Sequence, residues 1–281
     1  MDISLHAAAV SLQLDYRPME KQIKYRKPKM RFLNLNWSRQ RIILRREGAH
    51  MNIGIIGAGH IGGTLTRRFT ALGHKVFVAN SRGPETLKDL AAETGAKPVS
   101  ITEAARSGEL VVVTIPMKNI PSLPRDLFKG VADSVVVVDT CNYYPQQRDG
   151  RIDEIEAGVT ESQWVQKQLG RPVIKAFNNI YAQHLMDLGR PTGTPQRIAL
   201  PVAGDNAAAK SVVLQLVNEL GFDGVDAGGL DESWRQQPGT PVYAQDFDAE
   251  GVRRALSQAS RERKPEWLAK PSGSGGLAKS A

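Results

Sequence analysis

Residues 51–82, MNIGIIGAGHIGGTLTRRFTALGHKVFVANSR, constrain the fold of this chain more than any other stretch. Ile53 to Ile56 is an apolar run broken only by Gly54, and it passes directly into Gly57-Ala58-Gly59-His60-Ile61-Gly62, which fits G-x-G-x-x-G. The run reads as a buried strand and the glycines as its turn. Ile61, Leu65, Phe69 and Leu72 then recur at helical spacing and make one apolar face, with Gly73 as the C-terminal stop. Val76 to Ala79 reads as a second strand. Strand, glycine turn, helix and strand within about thirty residues is the setting in which this glycine pattern binds a dinucleotide.

Each glycine has a distinct task in such a unit. Gly57 permits the tight turn, Gly59 lets backbone approach a pyrophosphate, and Gly62 lets the helix pack closely on the strand. The N–H groups of His60, Ile61 and Gly62 at the helix start face the phosphates, where the helix dipole favours negative charge. The end of the second strand selects the dinucleotide. NAD sites usually carry a carboxylate there for the ribose 2′-hydroxyl, whereas this chain has Asn80-Ser81-Arg82 and no acid before Glu85. A guanidinium can grip a 2′-phosphate through two parallel charge-assisted bonds, and Ser81 adds a hydroxyl donor, so the residues read as an NADP(H) site.

Further along, Leu87, Leu90 and Ala91 give a helix after Pro84 its inner face, and Lys97 to Ser100 reads as a third strand. A compact helix at 102–105 precedes a fourth strand, Leu110 to Ile115, closed by Pro116; Val135 to Val138 is a fifth, running into Asp139-Thr140-Cys141-Asn142. Strands apolar at every position suit a parallel sheet covered on both faces. The expected architecture is α/β: a Rossmann-type doubly wound domain over residues 51–142, followed by a smaller α+β region over 143–264 that serves the substrate or a homodimer contact. That region reads as helices at 161–169, 180–188 and 206–220, the last with Val212, Val213, Leu216 and Leu220 inward, and strands at 173–177, 198–203 and 224–229. A helical piece from Leu230 to Trp234 and a polar loop to Tyr243 close it. Residues 265–281, rich in Pro, Gly, Ser and Ala, read as a disordered tail.

Charge and cysteine content narrow the class. Of the formal charge of +8, residues 1–50 hold +7, from eleven Lys or Arg against Asp2, Asp15, Glu20 and Glu47. That stretch reads as a disordered basic extension, and the nearly neutral remainder gives no reason to expect nucleic acid. Cys141 is the only cysteine, which excludes an intrachain disulfide and points to the cytoplasm. No apolar run approaches the roughly 18 residues of a membrane span, and the five histidines show no zinc-type spacing, so neither a membrane nor a metal is expected.

Ligands of open α/β sheets bind beyond the carboxyl ends of the strands. That rule selects Gly57 to Gly62, Asn80 to Arg82, Thr114-Ile115-Pro116 and the segment from Asp139 to Tyr144. None of these offers a His with a carboxylate orienter, and Cys141 has no neighbouring base, so no residue is expected to act as acid, base or nucleophile.

Taken in order, Ile53–Gly62, Asn80-Ser-Arg82, Thr114-Ile-Pro116, Val173-Ile-Lys-Ala-Phe-Asn-Asn-Ile180, Val202-Ala-Gly-Asp205 and Asp226-Ala-Gly228 resemble the NADPH-dependent coenzyme F420 reductases. The NADPH-binding domain of STEAP metalloreductases and the cofactor domain of pyrroline-5-carboxylate reductases are similar too. The resemblance covers about residues 51–230. It implies direct hydride exchange between NADPH and a planar redox ring, with Thr114, Ile115 and Pro116 near the nicotinamide and Asn178 helping to wall the site. Cys141, Asn142, Tyr143, Tyr144 and Trp234 would line the acceptor pocket. The aromatic residues at 143–144 and the long polar segment at 232–243 depart from the family pattern, which leaves several acceptors open: an F420-type deazaflavin, a flavin, or a small imine or carbonyl. A protein that binds NADP(H) without turnover, as a sensor or interaction module, is the alternative from another class.

Overall fold

In the computed structural model, which describes residues 50–270, six strands form one parallel sheet in the order β3-β2-β1-β4-β5-β6. They are β1 (Asn52–Ile56), β2 (Lys75–Ala79), β3 (Lys97–Pro98), β4 (Leu110–Val113), β5 (Val136–Asp139) and β6 (Ile174–Lys175). Chain order runs outward from β1 to β3, then returns past β1 to β4, so a topological switch point lies between β1 and β4. The two central strands pair in register, Ile53 with Leu110 and Ile56 with Val113.

Helices cover both faces because the strands are apolar on both. Ile53 and Ile55 face helix α1 (His60–Ala71) through Leu65 and Phe69, while Ile56 belongs to a second core with Ala104, Ala105 and Trp164. Helix α2 (Lys88–Thr94) follows β2, and α3 (Ile101–Ser107) lies against β1. Gly54, the one break in the first apolar run, is what allows that contact: a Cβ there would meet the Ala104 carbonyl oxygen at 2.1 Å. Leu72, expected on the apolar face of α1, is 38% exposed, because the helix ends at Ala71 and the chain turns away at Leu72 and Gly73.

The sheet does not stop at residue 142, where the sequence places the end of the dinucleotide-binding unit. A short helix α4 (Asp153–Glu156) and α5 (Glu161–Leu169), which opens with a Thr160–Gln163 capping box, lead into β6 beside β5. After α6 (Ala182–Asp187), a two-stranded parallel sheet of β7 (Ala199–Val202) and β8 (Asp223–Asp226) is built around α7 (Ala207–Glu219). Val213, Leu216 and Leu220 of that helix segment are buried as the spacing predicts, and Val212 is half-buried. Backbone bonds between Lys175 and Ala203 tie β6 to this second sheet.

Two parts of the C-terminal chain differ from the sequence reading. An amphipathic helix α8 (Ala249–Ser257), capped by Asp248, buries Val252, Ala255 and Leu256 against Val225 and Ala199; the pattern escapes notice because only three apolar side chains in nine residues face inward. Residues 265–270 of the expected disordered tail belong to the fold. Gln146 Nε2 donates to the carbonyls of Pro265 and Leu268, both at 2.9 Å, and Trp267 packs edge-on against Tyr243. The basic extension, His50 apart, and residues 271–281 lie outside the described residues. Among the described residues no helix is long and apolar enough to cross a membrane.

Candidate active site

At the switch point the glycine turn meets the end of β4. Gly57 has φ 112°, and a Cβ on it would strike the Thr114 carbonyl oxygen at 2.2 Å. A Cβ on Gly62 would fall 1.8 Å from the Gly57 carbonyl oxygen. Both glycines are therefore required by the chain itself, to let the turn, α1 and β4 pack together. Gly59 is different: its backbone is extended, and a Cβ would meet nothing within 4 Å. Among the described residues nothing crowds a side chain at 59, so close packing does not require glycine there.

Gly59 is also the N-cap of α1. It offers no side-chain cap, and the first turn carries no acid. Gly59 and His60 are exposed and Ile61 is half-buried, so this helix start presents backbone donors and a favourable dipole toward open space. Thr114, Ile115 and Pro116 are half-buried alongside, fixed by the Thr114 N–H donating to the Ile56 carbonyl at 2.9 Å.

The turn after β2 is shaped by Asn80. Its Oδ1 accepts from the Arg82 N–H at 2.9 Å, and its Nδ2 donates to Thr86 Oγ1 at 2.8 Å. Ser81 and Arg82 project into solvent. Among the described residues no carboxylate pairs with Arg82; the nearest acid in sequence, Glu85, is held by Lys88 at 2.5 Å.

Beyond β5 and β6 a ring of amides takes over. Asn178, 4% exposed, donates through Nδ2 to Asn142 Oδ1 at 3.0 Å and to the Gln236 carbonyl at 2.7 Å, while its Oδ1 accepts from Gln236 Nε2 at 2.9 Å. Asn142 Nδ2 returns a bond to the Asn178 carbonyl at 2.8 Å and reaches Tyr243 Oη at 3.5 Å. Tyr243 Oη is hydrogen-bonded to Tyr144 Oη. Burial, and then the Tyr144 hydroxyl, push the Tyr243 phenol upward.

Of the five side chains expected to line the acceptor pocket, only Asn142 and Tyr144 meet in this cluster. Cys141 is buried in the core beneath, its Sγ 3.8 Å from the Val113 carbonyl oxygen, and burial first, then Asp139, raise its thiol well above the ordinary value. Tyr143 is 1% exposed in the same core. Its hydroxyl accepts from the Ile152 N–H at 2.9 Å, and burial pushes its phenol up to about 12. Alternation along an extended segment sends residues 141 and 143 to one side and 142 and 144 to the other. The guanidinium groups of Arg235 and Arg261 lie 4.4 and 4.9 Å from the Trp234 ring centroid, and Tyr243 stands beside Asn142 in the place expected of Trp234.

Sequence reasoning misses a buried ionic group directly under these residues. Lys175 Nζ lies 3.3 Å from Asp139 Oδ2 and 3.9 Å from Glu161 Oε2, and it donates to the Cys141 carbonyl. Asp139 also accepts from Ser162 Oγ at 2.7 Å and from the Cys141 N–H at 2.8 Å. Burial raises the Glu161 carboxyl to about 7, against the opposing pull of Lys175. A lysine inside an apolar strand run is the signal that could have exposed the group, since a buried ammonium requires partners.

The strand order, the glycine turn at the switch point and the uncapped helix start define a dinucleotide-binding domain of the Rossmann type. Residues 52–143 match the family described as NADP oxidoreductase, coenzyme F420-dependent. The Escherichia coli (strain K12) protein YjhV is 47% identical over 91 residues, which are 32% of this chain and 59% of YjhV, so the match spans less than two thirds of that curated relative. The crystal structure of hypothetical protein SMa0349 from Sinorhizobium meliloti is similar with TM-score 0.60 at 31% identity, covering 71% of this chain and 95% of that one. A candidate F420 dependent NADP-reductase from Arthrobacter sp. FB24 shares the fold, with TM-score 0.53 at 22% identity over 66% of this chain and 87% of its own.

Proposed function

We propose that this protein is an NADP(H)-dependent oxidoreductase that transfers hydride directly, between the nicotinamide and an acceptor seated beyond β5 and β6. The observation that carries the reading is the contrast among the three glycines: close packing requires glycine at 57 and 62, whereas at 59 a Cβ meets no described atom within 4 Å, which suits a ligand that approaches the backbone there. Gly59 and the N–H groups that open α1 would hold the pyrophosphate, and Ser81 and Arg82 the 2′-phosphate. When bound, NADPH supplies a hydride from C4 of its nicotinamide. Thr114 to Pro116 fix the depth at which the ring rests, and Asn178, locked on both edges by Asn142 and Gln236, keeps the far wall rigid. In the hydride step itself the protein's share is then positioning and exclusion of water.

The test is equilibrium binding of NADPH and NADH, followed by turnover with 4-deuterated NADPH. Preference for NADPH and label on the reduced acceptor support the reading. Label released to solvent would sink direct transfer, and tight NADPH binding without turnover of any acceptor would favour a sensor.

A further inference from the structure

The acceptor side of the site carries a pair of phenols that the family resemblance does not account for. The chain that leads to them runs beside the end of β4, since the Thr140 N–H donates to the Val113 carbonyl at 3.1 Å. Asn142 and Asn178 follow the carboxyl ends of β5 and β6, and Tyr243 and Tyr144 hang from Asn142 by the bonds described above.

Two hydroxyls joined by one hydrogen bond hold two protons and use one. Among the described residues no other acceptor takes either, so the pair keeps one O–H proton uncommitted. Either phenol can donate in the pair; in the arrangement where Tyr144 donates, the Tyr243 oxygen accepts from both Tyr144 and the Asn142 amide, and the free proton is the one on Tyr243. Arg148 packs its guanidinium 4.8 Å from the Tyr144 ring centroid and is itself held by Asp149 at 2.9 Å, which fixes the Tyr144 ring in place.

The neighbouring rings argue about acceptor shape. Trp267 is tilted 45° from Tyr144 and 72° from Tyr243, at centroid distances of 6.1 and 6.3 Å. Three rings so inclined offer no common plane for a tricyclic system to stack on, whereas the hydroxyl pair offers a single directional donor suited to one heteroatom.

We infer that Tyr243, backed by Tyr144, is the proton donor of the acceptor subsite, and that the acceptor is a small carbonyl or imine whose heteroatom takes the Tyr243 hydrogen bond. The inference rests on the NADP(H) reading above. In the step, the carbon of the C=O or C=N bond receives hydride from the reduced nicotinamide dinucleotide, and a new C–H bond forms. The π pair moves onto oxygen or nitrogen and takes the Tyr243 proton. Tyr144 reprotonates Tyr243, and water reprotonates Tyr144. The acceptor gains two electrons and the dinucleotide loses two.

The experiment uses the full chain and three probes: 2-pyrrolidinone, whose carbonyl accepts hydrogen bonds without being reduced, and 2-methyl-1-pyrroline and cyclohexanone as reducible partners. Saturation-transfer NMR should show 2-pyrrolidinone bound to the NADP⁺-loaded protein, and NADPH should reduce at least one of the other two. Tyr243→Phe should keep NADPH affinity within about twofold, weaken 2-pyrrolidinone about fivefold or more, and lower kcat by roughly a hundredfold or more. Tyr144→Phe should give a smaller loss and a displaced pH profile. No binding and no reduction of any probe by a parent that binds NADPH overturns the inference and leaves the NADP(H) reading standing. Turnover of FMN or coenzyme F420 undiminished in Tyr243→Phe overturns it as well, while a parent that fails to bind NADPH removes the reading beneath it.

Discussion

Lys175 Nζ lies 3.3 Å from Asp139 Oδ2, and neither side chain exposes any surface to solvent. Burial of a pair at this cost is not explained by stability, since an apolar pair of similar volume does as well or better. Its geometry supplies another reason. Asp139 takes the Cys141 N–H and Lys175 takes the Cys141 carbonyl, so the pair clamps the peptide units on both sides of Cys141 and thereby sets the direction in which Asn142 leaves β5.

Lys175→Met should strand the Asp139 carboxylate in the core and destabilise the protein by about 3–5 kcal/mol. The double variant Lys175→Met, Asp139→Asn should recover part of that loss. Urea unfolding measures both, and a single variant as stable as the parent would show that Ser162 and the Cys141 N–H satisfy Asp139 unaided.

Glu161 makes the same cluster sensitive to pH. Its carboxyl is raised from 4.5 to about 7, chiefly by burial, with Asp139 raising it further and Lys175 and Arg263 opposing. Between those two values the folded chain holds a proton that the unfolded chain has released, so this group's contribution to stability falls as pH rises from 4.5 toward 7 and stays at the lower level above. Glu161→Gln removes that dependence. Relative to the parent, the variant should gain stability at about pH 8 compared with about pH 5, and parallel unfolding midpoints across the range would contradict the assignment.

The outline of the dinucleotide-binding unit is legible because each of its signals is local: the glycine turn, the apolar strands, and the absence of an acid between Ala79 and Glu85 all lie within one short window. The same locality explains what is missed. Lys175 reads as part of a strand until Asp139 and Glu161, far away in sequence, are brought against it by β5, β6 and α5. Tyr243 and Trp267 reach the acceptor side through loop and tail, where no periodicity marks a residue as inward. Cys141 and Tyr143 belong to the segment beyond β5 that the family resemblance assigns to the acceptor pocket, and strand alternation sends them to the side opposite Asn142.

The two glycines that bracket the start of α1 should behave differently when given a methyl group. Gly62→Ala places Cβ 1.8 Å from the Gly57 carbonyl oxygen, so it should lower the melting temperature markedly. Gly59→Ala meets nothing within 4 Å among the described residues and should lose only the small N-cap preference for glycine, about 1 kcal/mol or less, yet its Cβ stands where a pyrophosphate would approach the backbone, and NADPH binding should fall sharply. Thermal melting paired with fluorescence titration separates the outcomes. If Gly59→Ala binds NADPH like the parent, the glycine turn does not hold the pyrophosphate.

Arg82 gives the sharpest test of cofactor choice, because among the described residues its exposed side chain makes no hydrogen bond or ion pair. Among the described residues its backbone N–H is engaged, by Asn80 Oδ1, and no acid neutralises the guanidinium. Arg82→Ala should therefore leave melting unchanged. A charge-assisted arginine–phosphate bond is worth roughly 1.5–3 kcal/mol, so the variant should bind NADPH about ten- to a hundredfold more weakly. NADH lacks the 2′-phosphate and should bind the variant and the parent alike. Calorimetric titration of both cofactors against both proteins decides the matter. Equal losses for NADPH and NADH would mean that Arg82 supports the turn rather than the phosphate, and Ser81 and Asn80 would then have to carry the discrimination alone.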